Sequence, residues 1–206
     1  MNLIIKKFPE LKYKQAIIFD LDNTLYPEKD YLYQTYYLIG HLLEYQEQIS
    51  AGAVVEFLIS TFEKEGRVGL FDKLMSRYNL NENYKLKLLA VLRNSKLPLR
   101  LIMYDYMQDL IEKLITAEVQ LFILTNGNPL QQLNKLKHLD LNGHSDKLIC
   151  YFADEIAPKP SPDSVWHILK KHQLEADQIV FIGDSIVDEQ CANNAGISFL
   201  NVNVFA

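Results

Sequence analysis

Three runs of consecutive apolar residues stand out along the chain: "AIIF" (16–19), "VQLFILT" (119–125) and "IVFIG" (179–183). They are short, unbroken and rich in β-branched and aromatic residues. Continuous rather than alternating hydrophobicity suits a strand covered on both faces, so these segments predict buried parallel strands. "LICYFA" (148–153) predicts a further strand, and "ISFLNVNV" (197–204) a last one at an edge. Between them the apolar spacing changes to that of helices. In 104–118, Met107, Leu110, Ile111 and Leu114 fall on one helical face. In 161–174, Pro162 stands where a first helical turn tolerates it. Strand and helix alternate, which predicts an α/β fold with a doubly wound parallel sheet.

Residues 27–97 break that rhythm. They contain no strand pattern and predict helices over 28–46, about 51–65, 70–78 and 83–94, with breaks near Gly52, Gly66, Gly69 and Asn79–Asn83. A βα connection needs only a few residues, so this stretch predicts an inserted all-helical subdomain, with the core formed by 1–26 and 98–206 and Pro98 as the return hinge.

Composition narrows the function. A chain of 206 residues with 49% hydrophobic and 23% charged residues is ordinary for a globular protein. A net charge of -5 with four arginines argues against broad contact with a phosphate backbone, so no nucleic acid is expected as partner. Cys150 and Cys191 form no metal-ligand pattern and suggest a reducing compartment. The apolar run at 3–5 is too short for a signal peptide or a membrane span, which predicts a cytoplasmic protein with no membrane association.

In open α/β sheets ligands bind beyond the carboxyl ends of the strands, so what each strand delivers there matters most. The first delivers Asp20, Asp22 and Thr24, and the second Thr125, Asn126 and Gly127. "APKPSPD" delivers Lys159 between two prolines, and "GDSIVDEQ" delivers Asp184 and Asp188. Four converging carboxylates would repel one another and raise each other's pKa values. A lysine and a divalent cation relieve that, and oxygen-only ligands with few carboxylates favour Mg²⁺. Thr125 and Asn126, read as the start of the next helix, are expected to hold an anion. A metal, a lysine and N–H donors around a carboxylate suit phosphoryl transfer.

Four segments in order, "IIFDLDNTLY", "LFILTNGN", "APKPSPD" and "IVFIGDSIVDEQCANNAGI", resemble the four motifs of the haloacid dehalogenase-like (HAD) superfamily. The chain is most similar to subfamily I, in which a helical cap follows the first motif. The resemblance implies a Rossmann-like core with 27–97 as the cap. Asp20 would be the nucleophile that forms an aspartyl-phosphate. Asp22 would be the general acid and base. Thr125 and Asn126 would bind phosphate, and Lys159 would pair with Asp20 and the transferring group. Asp184 would ligate Mg²⁺ directly, beside one Asp20 oxygen and the Asp22 backbone carbonyl. Asp188 would either bind the ion through water or orient Lys159.

The activity implied is a Mg²⁺-dependent phosphatase acting on a small phosphorylated metabolite such as a sugar phosphate or a nucleotide, as monomer or homodimer. Dehalogenases of the superfamily do not need the second aspartate, so Asp22 favours phosphorus chemistry. A phosphomutase and a non-catalytic phosphate-binding scaffold are the alternatives. Six tyrosines, Tyr26, Tyr31, Tyr33, Tyr36, Tyr37 and Tyr45, crowd the start of the helical region, where packing accounts for most of them.

Overall fold

The computed structural model describes residues 7–205. The apolar run at 3–5 lies outside them. The described chain divides into two compact units. One holds the residues up to Glu28, Leu101–Gln132 and the chain from Leu139 onward; the other holds Lys29–Arg100 and Leu133–His138.

The first unit is built on five parallel strands: β1 (Ala16–Phe19), β3 (Gln120–Thr125), β5 (Leu148–Phe152), β6 (Ile179–Gly183) and β7 (Ser198–Asn201). Their order is β5-β3-β1-β6-β7. The chain moves outward from β1 to one edge, then returns to β6 beside β1 and moves to the other edge. β1 and β6 therefore flank the point where strand order reverses, which in doubly wound sheets opens a crevice at the carboxyl ends. In register, Phe19 lies beside Ile123 on one side and Ile182 on the other. All four residues of β1 and all five of β6 are buried, as their unbroken hydrophobicity requires. Helices α5 (Asp105–Thr116), α7 (Asp163–His172) and α8 (Ile186–Ala195) belong to this unit. Ile18, Phe122, Phe181, Val165, Ile168 and Ala192 lie in one continuous core cluster.

Four details differ from the sequence reading. The last strand ends at Asn201, and Val202–Phe205 turns into a 3-10 helix. Two residue pairs, Leu101–Ile102 (β2) and Leu139–Asp140 (β4), form a second, two-stranded parallel sheet. Both segments are too short for a period to register. The α7 helix starts at Asp163, so Pro162 occupies its N-cap position rather than its first turn. Finally, the helix after β3, α6 (Pro129–His138), starts four residues beyond Thr125. Thr125 is the last residue of the strand, and Gly127 takes φ 110 in the turn between.

The second unit consists of α1 (Glu28–Glu47) beyond its first residue, α2 (Ala51–Glu65), α3 (Leu70–Arg77), α4 (Asn83–Asn94) and the end of α6. Tyr31 and Tyr36 are fully buried, and Phe62 meets Tyr33 and Tyr36 edge-on at 6.3 and 6.2 Å. Gly40 is needed for close helix contact. A methyl group there would lie 2.9 Å from both the Ala51 carbonyl oxygen and Val55 Cγ2. The end of α6 is tied in by Asn134, whose Nδ2 donates to the Ser95 carbonyl at 2.9 Å, and by His138, whose Nε2 accepts the Leu97 N–H at 3.1 Å. Among the described residues, no helix is long and apolar enough to cross a membrane.

Candidate active site

The residues beyond the carboxyl ends of β1, β3 and β6 converge around one ammonium group. Lys159 Nζ donates to Asp20 Oδ1 at 2.7 Å, to Asp188 Oδ1 at 2.6 Å and to the Leu124 carbonyl at 3.1 Å. An ammonium has three protons, so these three acceptors satisfy it and fix its position. Lys159 is only 6% exposed and Asp188 only 1%. A lone charge so deep would be costly; here the charges are paired and hydrogen-bonded.

Local sequence sets each of these side chains. Ser185 caps α8, and Asp188 is the third residue of that helix. Asp188 Oδ2 accepts the Ser185 N–H at 3.1 Å and the Ser185 hydroxyl at 2.6 Å, while Ser185 Oγ accepts the Asp188 N–H at 3.2 Å. This capping box leaves Asp188 Oδ1 for Lys159. Asp188 therefore orients Lys159, one of the two roles open to it from sequence. Gly183 makes room for this carboxylate. A methyl group there would lie 2.7 Å from both Asp188 Cβ and Oδ2.

The loop carrying Lys159 is itself pinned by Asn126. Asn126 Nδ2 donates to the Lys159 carbonyl at 2.9 Å, and Asn126 Oδ1 accepts the Lys159 N–H at 2.8 Å. The Asn126 amide thus acts on the Lys159 backbone. The adjoining Gly127 N–H donates to Asp154 Oδ1 at 2.8 Å. Nothing in the sequence singles out Asp154, which stands alone after β5.

Asp22 stands apart from the lysine. Its Oδ1 accepts the Tyr26 hydroxyl at 2.7 Å, and its Oδ2 lies 3.4 Å from Gln132 Nε2. Gln132 Nε2 also donates to Thr125 Oγ1 at 2.8 Å and to the Asn126 carbonyl at 2.5 Å. Sequence reasoning missed Gln132, because a glutamine three residues after a helix-starting proline carries no motif. It left Tyr26 among six tyrosines of which packing explains most and one or two could line a substrate pocket. Thr24 is fully buried and its hydroxyl has no hydrogen-bond partner among the described residues, so the site does not present it.

The electrostatics follow from this geometry. Burial raises the Asp20 pKa, Lys159 opposes, and Asp188 and Asp22 add to the rise, bringing it to about 7. Burial and the Asp188 charge likewise hold Asp184 above the ordinary carboxylate value. For Lys159, burial works against the ammonium, but Asp20 and Asp188 outweigh it and hold its pKa up.

Among the described residues, Asp20, Asp184 and Asp188 each offer an oxygen, all within 4.8 Å of one another. Three carboxylates beside one ammonium leave two negative charges, which a divalent cation would balance. The donors are oxygens alone, as a hard ion such as Mg²⁺ prefers. Asp188 Oδ2 already accepts two hydrogen bonds from Ser185, whereas Asp188 Oδ1, like Asp20 Oδ1, accepts one from Lys159.

The comparisons with known proteins agree with this fold. Magnesium-bound YfnB of Bacillus subtilis is 20% identical, with 90% of this chain and 85% of that one covered and a TM-score of 0.62. A HAD phosphatase from Thermococcus onnurineus is 22% identical, with 90% and 84% covered and a TM-score of 0.57. A dehalogenase with an intermediate complex is 19% identical, with 91% and 84% covered and a TM-score of 0.56. At these identities the likeness is one of fold. No curated protein matches the chain. The family model for haloacid dehalogenase-like hydrolases matches residues 17–202, from the start of "IIFDLDNTLY" past the last strand. The chain therefore belongs to the haloacid dehalogenase-like hydrolases.

Proposed function

We propose that this hydrolase is a cytoplasmic, Mg²⁺-dependent phosphomonoesterase that acts on a small phosphorylated metabolite through an aspartyl-phosphate on Asp20. The observation that carries this reading is the division of labour between two carboxylates. Asp20 lies against Lys159, at the centre of positive charge. Asp22 is held outside the cation-binding group by Tyr26 and Gln132. Displacement at carbon by Asp20 would not need the second carboxylate, whereas transfer of phosphorus from an alcohol does.

In the first step an Asp20 carboxylate oxygen forms a bond to phosphorus. The bond from phosphorus to the ester oxygen breaks, and its electron pair leaves with that oxygen. Asp22 gives its proton to the departing oxygen, releasing an alcohol. In the second step Asp22 takes a proton from water while the water oxygen bonds to phosphorus. The bond from phosphorus to Asp20 breaks, freeing phosphate and restoring both side chains. Lys159, the Thr125 hydroxyl and the Asn126 N–H balance charge on the phosphoryl oxygens. Asp20, Asp184 and the Asp22 carbonyl would hold Mg²⁺, which would supply further charge neutralisation there. The helical unit, Lys29–Arg100, serves as the cap that selects the substrate.

The test is phosphate release from a panel of sugar phosphates, nucleotides and other phosphorylated metabolites, with Mg²⁺ and with EDTA, using Asp20→Asn as control. The expected result is Mg²⁺-dependent release that vanishes in the variant. Release from no compound above the Asp20→Asn background would count against hydrolysis and favour a phosphomutase or a non-catalytic binder.

A further inference from the structure

Two residues outside the four motif assignments touch the proposed acid and base. Tyr26 is fully buried, and its hydroxyl lies 2.7 Å from Asp22 Oδ1. Gln132 is 3% exposed, and its Nε2 reaches Asp22 Oδ2, Thr125 Oγ1 and the Asn126 carbonyl. Two of those three acceptors, a carboxylate and a carbonyl, cannot donate. The amide nitrogen, not the oxygen, must therefore face them. Gln132 Oε1 is then left buried without a hydrogen-bond partner among the described residues. Leaving such an oxygen unpaired is destabilising. An apolar residue would avoid that cost, so packing does not explain a glutamine here.

The bond to Thr125 has a directional consequence. Thr125 Oγ1 accepts from Gln132 at 2.8 Å, so its own proton must point elsewhere. The Asn126 carbonyl, at 3.5 Å, is too far to hold that proton well. The hydroxyl proton stays available to an anion at the end of β3.

We propose that Tyr26 and Gln132 are positioning residues that hold the Asp22 carboxylate from its two oxygens, with Gln132 also turning the Thr125 hydroxyl proton toward the transferring phosphoryl group. This rests on the phosphatase reading above. A carboxyl group that must meet the ester oxygen and later a water has to keep one rotamer through both steps. The short Tyr26 bond to one oxygen, supported by the longer 3.4 Å contact of Gln132 to the other, limits rotation about the Cβ–Cγ bond. A misplacement of about 1 Å can cost on the order of 100-fold in rate.

The test uses Tyr26→Phe and Gln132→Met, which keep shape and lose the polar atoms, on p-nitrophenyl phosphate and on an alkyl phosphate. Nitrophenolate departs without a proton; an alkoxide needs one. Because kcat/KM reports events up to departure of the leaving group, Tyr26→Phe should lose about 10- to 100-fold on the alkyl phosphate and much less on p-nitrophenyl phosphate, and Gln132→Met should lose more on the alkyl phosphate than on p-nitrophenyl phosphate, where only its effect through Thr125 remains. In an Asp22→Asn background Tyr26→Phe should add almost nothing on the alkyl phosphate, and Gln132→Met only the loss that passes through Thr125. Equal losses on both substrates, no loss, or full additivity with Asp22→Asn would overturn the inference. Wild-type protein inactive on both substrates would instead sink the phosphatase reading, and the inference with it. Thermal unfolding of each variant checks folding, and either variant alone suffices for the substrate comparison.

Discussion

The two units bury polar groups to different ends. In the helical unit Thr35, Asn134 and Lys135 meet structural partners within that unit. Thr35 Oγ1 donates to the Leu32 carbonyl one turn back at 2.8 Å, Asn134 ties α6 to Ser95, and Lys135 Nζ lies 5.3 Å from the centre of the Tyr31 ring. In the sheet unit the buried polar groups converge on one another: Asp20, Lys159 and Asp188 in one chain of contacts, Asp22, Gln132 and Thr125 in another. Burial of a polar residue is therefore a weak sign of function. Convergence of titratable groups whose pKa values are displaced is the stronger one.

Five measurements can break or sharpen this contrast. The largest effect is expected from Asp20→Asn, which removes the nucleophile. Turnover should fall by about 10⁴-fold or more, with the fold retained. Activity near wild type in a pure sample would end Asp20's assignment.

Lys159→Met comes next, because it leaves Asp20 and Asp188 buried without their cation. Breaking such a pair costs about 3–5 kcal/mol. Urea unfolding in EDTA should show a loss of that order, partly restored by Mg²⁺. Unchanged stability in EDTA would mean that the lysine does not neutralise the cluster.

The two crowded glycines give a matched pair. Gly183→Ala and Gly40→Ala should each lower stability by about 1–3 kcal/mol through overpacking. Only Gly183→Ala pushes on the carboxylate that orients Lys159, so it alone should lower kcat well below the Tm. Equal loss of kcat in both would erase the distinction between the units.

A pH effect follows from Asp20. Its pKa is raised by burial to about 7 in the folded state, so the folded protein binds this proton more tightly than the unfolded chain. The resulting stability is complete below the unfolded value and is lost as pH rises through about 7. In EDTA, the stability of wild type relative to Asp20→Asn should therefore fall between about pH 4 and pH 7. A difference that stays flat across this range would contradict the raised pKa. The smallest effect is Thr35→Val, which removes one helix side-chain bond at a cost of about 1 kcal/mol or less and should leave turnover unchanged.

Much of the site was legible because it sits in strand ends. Asp20, Lys159, Asp184 and Asp188 follow apolar runs that can only be buried strands, or the loops leaving them, and the fold rule for such sheets says where they meet. Apolar spacing and glycine breaks also placed helices at 28–46, about 51–65, 70–78 and 83–94, against 28–47, 51–65, 70–77 and 83–94 in the structure. What did not follow was the partner of each polar atom. Asn126 looked like an anion ligand but its amide clamps the Lys159 backbone. Tyr26 looked like a packing residue but its hydroxyl meets Asp22.

The sequence by itself determined the parallel α/β core, the helical insertion and the set of residues that could carry phosphoryl chemistry. Periodicity, strand-end position and charge are properties of neighbouring residues in the chain. Only the tertiary structure decided that Asp188 serves Lys159, that Gln132 joins Asp22 to Thr125, and that Leu133–His138 groups with the helical unit. The three hydrogen bonds from Lys159 and Gln132 in those pairings join residues 29, 110 and 7 positions apart. The separation within a sequence carries no direction, and hydrogen bonds depend on direction and on distances of a few tenths of an ångström.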